Sequence, residues 1–386
     1  MIEIAILTDK EEDAYENFLE KCGWSLIQHS LDWRSVILDL GKDKPFFIVA
    51  KENDKIVGAL PMYYYECELG NLLTTIPWHS ISGIICHERN VPCQPIYKAL
   101  LDYCISLAKD LNCAAISIAT NPFLDDKEYY LNHLKPDYIM ENFIQCINLN
   151  DIFDETGSLA HPKYTRRSSL TRNLKKAELR QTIISDEQTR ANVNEWFAIH
   201  EKRMNELGAT PIPRKLFDSA FKNLIPKEKA KFLFAFNEKK MISGGFFIFN
   251  KRVMDVYMIS MDHKYIEYGA NYLITYHILE WANKNGISIF NWESIPGRKS
   301  GAYEWKEQWG SRERIFLYLT KILGDISEWR ELDYRTLEEA YKWHYVLPFN
   351  LLKSTSSTNF TTKDELISFL RSSKKHLEEL DRISKS

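Results

Sequence analysis

The sequence predicts an α/β protein, of the α+β kind, in which one mixed fold occurs twice in tandem. Three observations predict it. At 386 residues the chain is long enough for two domains and an appendage. Its second half reads as helix, helix, three antiparallel strands, helix, strand, short element, strand, and the first half broadly repeats that order. A gapless echo also joins the halves: Ala50-x-x-x-x-Lys55-Ile56-Val57-Gly58-Ala59 aligns on Ala235-x-x-x-x-Lys240-Met241-Ile242-Ser243-Gly244.

In the first half Glu3–Leu7 reads as a strand, Glu11–Cys22 and Leu31–Leu40 as helices, and Phe46–Ala50, Ile56–Tyr65 and Leu72–Ile85 as strands. Ile96–Leu111 then has a helical apolar period, and Ala114–Ala119 is a strand. In the second half Ala191–Leu207 places Val193, Trp196, Phe197, Ile199 and Met204 at near-helical spacing, and Pro213 opens a helix through Leu224. The runs Lys231–Phe236, Met241–Phe249 and Val253–Met261, rich in Phe, Ile and Val, read as strands. Tyr265–Gly269 reads as a loop and Asn271–Lys284 as a helix stopped by Asn285-Gly286. Ile287–Trp292 is a strand, Gly297–Gly301 a turn, Tyr303–Trp309 a short helical piece and Ile315–Leu319 a last strand. The expected division is 1–160, a connecting helix at 161–180, 181–325, and a helical tail at 326–386. The tail has an aromatic part (Asp325–Leu352), a Ser/Thr linker (Ser354–Thr362) and a charged helix (Asp364–Ile383). It is expected to pack on the body, pair with a partner helix, or touch a membrane surface through Trp343–Leu352.

Composition excludes several classes. Hydrophobic residues are 45% of the chain, so it buries real cores. No apolar run approaches the roughly 18 residues that a membrane span needs, and Met1–Lys10 lacks the pattern of a signal peptide. Seven cysteines, an odd number with no C-x-x-C pair, all lie in the first 146 residues and read as reduced thiols of a cytoplasmic protein. No metal is expected, since His200-Glu201 lacks the second His of H-E-x-x-H. The net charge of −3 gives no general affinity for nucleic acid, yet it conceals a local excess. Between His161 and Arg180 stand seven basic residues, and Glu178 is the only acid, a balance of +6.

The stretch Arg166-Arg167-Ser168-Ser169-Leu170-Thr171-Arg172-Asn173-Leu174-Lys175-Lys176-Ala177, the segment Gly269-Ala270-Asn271-Tyr272-Leu273 and the segment Tyr303-Glu304-Trp305-Lys306-Glu307-Gln308-Trp309-Gly310 occur in an order and placement that resemble the Fem-type aminoacyltransferases. That family carries two tandem folds of the acetyltransferase (GNAT) type. The resemblance covers roughly residues 1–325. It implies an enzyme, an acyltransferase that moves an acyl group, often an amino acid from aminoacyl-tRNA, onto an amine of an envelope precursor such as a peptidoglycan or polysaccharide unit. No resident cofactor is implied, because the aminoacyl-tRNA or acyl-CoA donor is a co-substrate.

The resemblance places Lys306 at the acyl-transfer site, where a cation steadies an oxyanion or the tRNA terminus. Trp305 is then a stacking candidate and Tyr257 a substrate candidate on the splayed strand Val253–Met261. Arg166, Arg167, Arg172 and Lys176 are candidates for substrate phosphates, with Arg172 and Lys176 on one helix face. Trp78 and His79 follow Pro77 in a segment like the family's Pro-aromatic-x-x-x-x-G stretch, expected to face the acceptor. Asp255, Asp262, Glu293 and Glu304 are candidate bases near the cleft, with Glu293 favoured by its place past a strand end. Gly269, Ala270 and Asn271 are the candidate donor-binding residues. The acetyltransferase pyrophosphate pattern R/Q-x-x-G-x-G/A is matched there only by Ala270, since Tyr265 and Tyr268 stand at its other positions, which favours aminoacyl-tRNA over coenzyme A. Two rival readings stay open: an acyl-CoA-dependent N-acetyltransferase for a nucleotide-sugar or polysaccharide amine, and a non-enzymatic RNA- or glycan-binding scaffold.

Overall fold

A computed structural model describes residues 2–78, 80–87, 93–159, 169–294, 298 and 300–352. In chain order the first half comprises β1 (Glu3–Ile6), α1 (Glu12–Leu19), α2 (Leu31–Leu40), β2 (Asp43–Glu52), β3 (Lys55–Tyr65), β4 (Asn71–Thr74), β5 (Ile85–Cys86), α3 (Cys93–Asp110), β6 (Cys113–Ala119), α4 (Lys127–His133) and β7 (Tyr138–Asn148). Then follow α5 (Ser169–Leu179), β8 (Thr182–Ser185), α6 (Arg190–Glu206), α7 (Arg214–Asn223), β9 (Ala230–Asn237), β10 (Lys240–Asn250), β11 (Val253–Met261), α8 (Ala270–Lys284), β12 (Ile289–Ser294), α9 (Gly301–Glu307) and β13 (Arg312–Ile322). Two short tail helices, α10 (Ser327–Glu331) and α11 (Tyr334–Ala340), come last.

All the strands share one sheet. Its order is β1-β2-β3-β4-β6-β13-β7-β12-β11-β10-β9-β8, with β5 beside β3. The order reads as a palindrome about the β13–β7 pair, which is what two copies of one fold give when each exchanges its last strand. Thus β13 of the second copy pairs with β6 of the first, and β7 of the first pairs with β12 of the second. The two last strands pair with each other from Arg312↔Cys146 to Thr320↔Tyr138. The two hairpins β2–β3 and β9–β10, which carry the sequence echo, stand at equivalent places.

The helices complete the two layers. Helices α1, α2, α6 and α7 cover one face over a core that draws Trp33, Phe47 and Tyr63 from the first copy and Trp196, Phe217 and Phe246 from the second. Asp39 of α2 ties α2 to α7, accepting from Ser219 Oγ (2.9 Å) and Asn223 Nδ2 (2.8 Å). On the other face α3 and α8 each cover their own copy. This arrangement makes Gly244 of β10 a tight position, because a Cβ there would meet the Trp196 ring at 2.4 Å. Gly244→Ala is therefore expected to destabilise by about 1–3 kcal/mol, read as a lower midpoint in urea unfolding.

The structure corrects several expectations. Leu72–Ile85 is not one strand. Pro77 interrupts it, Trp78 adopts φ 56° and Gly83 φ 70°, and a Cβ on Gly83 would lie 2.8 Å from the Tyr130 hydroxyl. The expected loop Tyr265–Gly269 is mostly 3-10 helix (His263–Tyr268). Strands β7 and β8 and helix α4 were not foreseen. The aromatic tail holds two short helices, and it packs on the first copy. Trp329 Nε1 donates to the Leu69 carbonyl (2.6 Å), and the Tyr341 hydroxyl donates to that of Gly70 (2.8 Å). Val346, Leu347 and Phe349 are buried, so the segment Trp343–Leu352 lies against the body rather than offering its rings to a membrane. The linker and the charged helix expected beyond Leu352 lie outside the described residues. Among the described residues no helix is long and apolar enough to cross a membrane.

Candidate active site

The site begins where two strands part. Strands β11 and β12 run parallel and pair over Val253–Asp255 and Ile289–Asn291. Beyond that point β11 stays with β10 through Met261, while β12 follows β7. The β12–β7 register slips between Asn291 and Ser294, and within the slip Glu293 sits at φ 61°. A left-handed Glu is strained by order of 1–3 kcal/mol and persists only where its surroundings enforce it.

Asp255 and Glu293 meet at this fork through Asn291. Its amide Nδ2 donates to Asp255 Oδ1 at 2.9 Å and reaches Glu293 Oε1 at 3.5 Å, and its Oδ1 accepts from the Glu293 backbone N–H at 3.0 Å. From the first copy, Gln28 Nε2 donates to Asp255 Oδ2 at 3.3 Å. Burial raises the Asp255 carboxyl to about 6, although these amide hydrogen bonds favour its charged form. Burial and the neighbouring Asp255 charge push Glu293 well above the usual carboxylate range, and Lys306 pulls it back in part. The two carboxyls therefore titrate as a pair that retains a proton where lone carboxylates would not.

Lys306 completes the cluster. It lies in α9, which starts at Ser300, whose Oγ accepts from the Tyr303 N–H at 3.2 Å. Its Nζ donates to the Trp292 carbonyl at 2.8 Å. Burial brings its ammonium down to about 8, against the opposing pull of Glu293. Of the catalytic candidates named from sequence, Lys306, Glu293 and Asp255 thus stand together.

Aromatic side chains wall the cluster. The Tyr257 hydroxyl donates to the Trp78 carbonyl at 3.4 Å, and Glu293 is among the causes that raise its phenol. Trp78 stacks on Trp343 of the tail, with centroids 5.5 Å apart. On the other side Tyr318, whose phenol also feels Glu293, packs on Tyr345 at 4.2 Å. Trp343 and Tyr345 in turn line a cavity of about 460 Å³ with Met140, Thr210 and residues 346–350.

The remaining candidates fall elsewhere. At φ 65° the Cβ position of Gly269 faces the Asn173 carbonyl at 3.0 Å and Ala177 at 3.1 Å, both in α5. Ala270 is fully buried, and Asn271 Oδ1 accepts from Ser243 Oγ at 2.6 Å. The Cβ side of Gly269 at the start of α8 is therefore packed against α5. Lys176 pairs with Glu267 on the preceding turn, whereas Arg172 is exposed. The Trp305 ring packs on Trp292 (5.1 Å) and Tyr272 (5.9 Å), within the core beneath α8. Asp262 accepts from Lys202 at 2.9 Å on a different loop, and Glu304 is exposed. Arg166, Arg167 and His79 lie outside the described residues. His200 is buried, with Nδ1 on Ser260 and Nε2 accepting from the Ile212 N–H. Sequence reasoning missed Gln28 and Asn291. Only the spacing Asn291-x-Glu293 at the end of a strand could have singled one of them out.

Residues 164–307 match the Acetyltransferase (GNAT) domain family. No curated protein sequence matches the chain. Among solved structures the chain is similar to FemX, at 13% identity over 82% of this chain and 97% of that one, with a TM-score of 0.64. It is similar to L-PGS from Bacillus licheniformis at 12% identity over 81% and 92%, with a TM-score of 0.54. It is also similar to a tandem GNAT protein from the clavulanic acid biosynthesis pathway, at 10% identity over 84% and 99%, with a TM-score of 0.50. At these identities the likeness is one of fold.

Proposed function

We propose that this chain, an acyltransferase built on two GNAT folds, moves an acyl or aminoacyl group from aminoacyl-tRNA onto an amine of a cell-envelope precursor. The observation that carries the reading is the buried Asp255–Glu293 pair beside Lys306 where β11 and β12 part. Acyl transfer to an amine needs a group to take the ammonium proton and a positive charge for the carbonyl oxygen as it becomes an oxyanion. The carboxyl pair supplies the first and Lys306 the second. The amine attacks the acyl carbonyl directly, since the second copy holds no cysteine for a thioester intermediate. The amine-bearing precursor lies between the copies, against Trp78 and Tyr257.

Two points support a tRNA donor. The start of α8, where a coenzyme A pyrophosphate would sit, is packed against α5, and Arg172 stands exposed on that basic helix for a phosphate. The family match at 164–307 favours a second reading, acyl transfer from acyl-CoA. Isothermal titration with acetyl-CoA separates the two: no binding is expected, and tight binding would overturn the tRNA donor. The envelope acceptor rests on the Fem-type resemblance and the likeness to FemX.

The pKa directions set the pH dependence. The pair must release a proton and Lys306 must keep one, so the transfer rate is expected to rise through about 6 and fall above about 8. Lys306→Ala should lower the rate by order of 10²-fold and remove the alkaline fall. Unchanged transfer by this variant would take Lys306 out of the mechanism.

A further inference from the structure

Gln28 occupies an unusual position for a residue of the first copy. It is 4% exposed, and its Nε2 is committed to Asp255 of the second copy at 3.3 Å. Among the described residues its Oε1 is buried with no hydrogen-bond partner. An ionised Asp255 fixes which end of the amide faces it, because only the NH₂ end donates. The oxygen is therefore the free end.

The segment that holds Gln28 is fixed from several directions. The Tyr15 hydroxyl donates to the His29 carbonyl at 2.7 Å, and His29 Nδ1 accepts from the Leu26 N–H at 3.0 Å. Ser30 Oγ donates to the Ile27 carbonyl at 2.7 Å. From the second copy, Asn250 Nδ2 donates to Ser25 Oγ at 3.0 Å. A buried acceptor left unpaired in so constrained a setting costs stability in the free protein, and a ligand that supplies a donor relieves that cost.

We propose that Gln28 Oε1 receives one N–H of the attacking amine while the Asp255–Glu293 pair receives another, so that the site selects primary amines over alcohols. The inference rests on the proposed acyl transfer to an amine and deepens it by naming the residue that reads the second N–H of that amine. A primary amine has two N–H bonds, one for each acceptor. An alcohol has a single O–H, which the carboxylate pair takes, leaving Gln28 Oε1 buried and unpaired. In the reaction the amine nitrogen forms the new C–N bond, and the acyl C–O bond of the donor ester (or C–S bond of a thioester) breaks. The amine proton passes to the carboxylate pair, and the departing oxygen or sulfur takes a proton from the Lys306 ammonium.

Aniline and phenol test this directly, being matched in size and both uncharged at pH 7. Titration of the full chain is expected to show aniline binding about tenfold more tightly than phenol, the penalty of one unpaired buried acceptor. Gln28→Met, which keeps length and removes the acceptor together with the donor to Asp255, should weaken aniline more than phenol and bring the two probes to the same level. In the unsubstituted protein the ¹⁵N side-chain amide resonance of Gln28 should shift saturably with aniline and not with phenol, which covers the case in which the variant fails to fold. Equal binding of the two probes, no saturable binding of aniline, or an aniline preference that survives in Gln28→Met would each overturn the proposal. None of these measurements uses an acyl donor, so a failure of acyl transfer would be seen separately.

Discussion

Replacing Glu293 by Gln is expected to slow acyl transfer by about 10²–10⁴-fold, the usual loss when a general base is removed, while the fold holds or gains stability. Two effects oppose each other at this residue. Glu293 keeps a raised carboxyl because burial and Asp255 disfavour its charge, and that is what a base for an ammonium proton requires. The same features make the pair a liability to stability. A carboxyl whose folded pKa lies above its unfolded value contributes stability that is fully present below the unfolded pKa and lost as pH rises through the folded one. For Asp255 that window runs from the ordinary 3.8 to about 6. Glu293→Gln removes the like charge, so its melting temperature should exceed that of the parent above pH 6 and match it near pH 4. Lys306 also loses the carboxylate charge that helps hold its proton on, and its ammonium should titrate below about 8. The checks are thermal melts across pH and single-turnover rates. A variant that is less stable at pH 8 and fully active would contradict both halves of the expectation.

His344→Ala is expected to destabilise the protein by about 3–5 kcal/mol, the cost of stranding one member of a buried pair. His344 Nε2 lies 2.6 Å from Asp43 Oδ1, with side chains 1% and 0% exposed. The other Asp43 oxygen has no partner among the described residues, so nothing else would satisfy the carboxyl once the imidazole is gone. The His344 ring also stacks on Tyr65 at 4.1 Å. Because His344 adjoins Trp343, which stacks on Trp78, loosening it should disturb the wall of the site as well. A double-mutant cycle in urea separates the terms. Asp43→Ala combined with His344→Ala should cost less than the sum of the single changes, because the stranded carboxyl is then absent. Strict additivity would show that the two groups do not depend on each other.

The duplication was legible because it rests on local patterns. The hairpins at Ala50–Ala59 and Ala235–Gly244 keep their turn spacing, and α3 and α8 keep their apolar stripes. The exchange of β7 and β13 was not legible. A strand's apolar alternation says which face it buries and nothing about which copy it joins, and β7 itself had not been read as a strand. Within the site, Asp255 could be named because it lies on a strand expected to border the cleft, Glu293 because it sits at a strand end, and Lys306 because it sits in a family segment. Gln28 could not, since 227 residues separate it from Asp255 and only the folded core of both copies brings them together. The contact of Gly269 with α5 was not legible for a related reason: the start of α8 reads as open in sequence until α5 packs on it.

The most direct measurement is single-turnover transfer of a labelled amino acid from a mixture of charged tRNAs to primary amines, with the parent protein beside Asp255→Asn and Glu293→Gln. Acyl transfer at the fork of β11 and β12 predicts an amide product with the parent, a rate that rises through about pH 6, and loss of product formation by both variants. No amide product with any charged tRNA, or equal product from all three proteins, would contradict it.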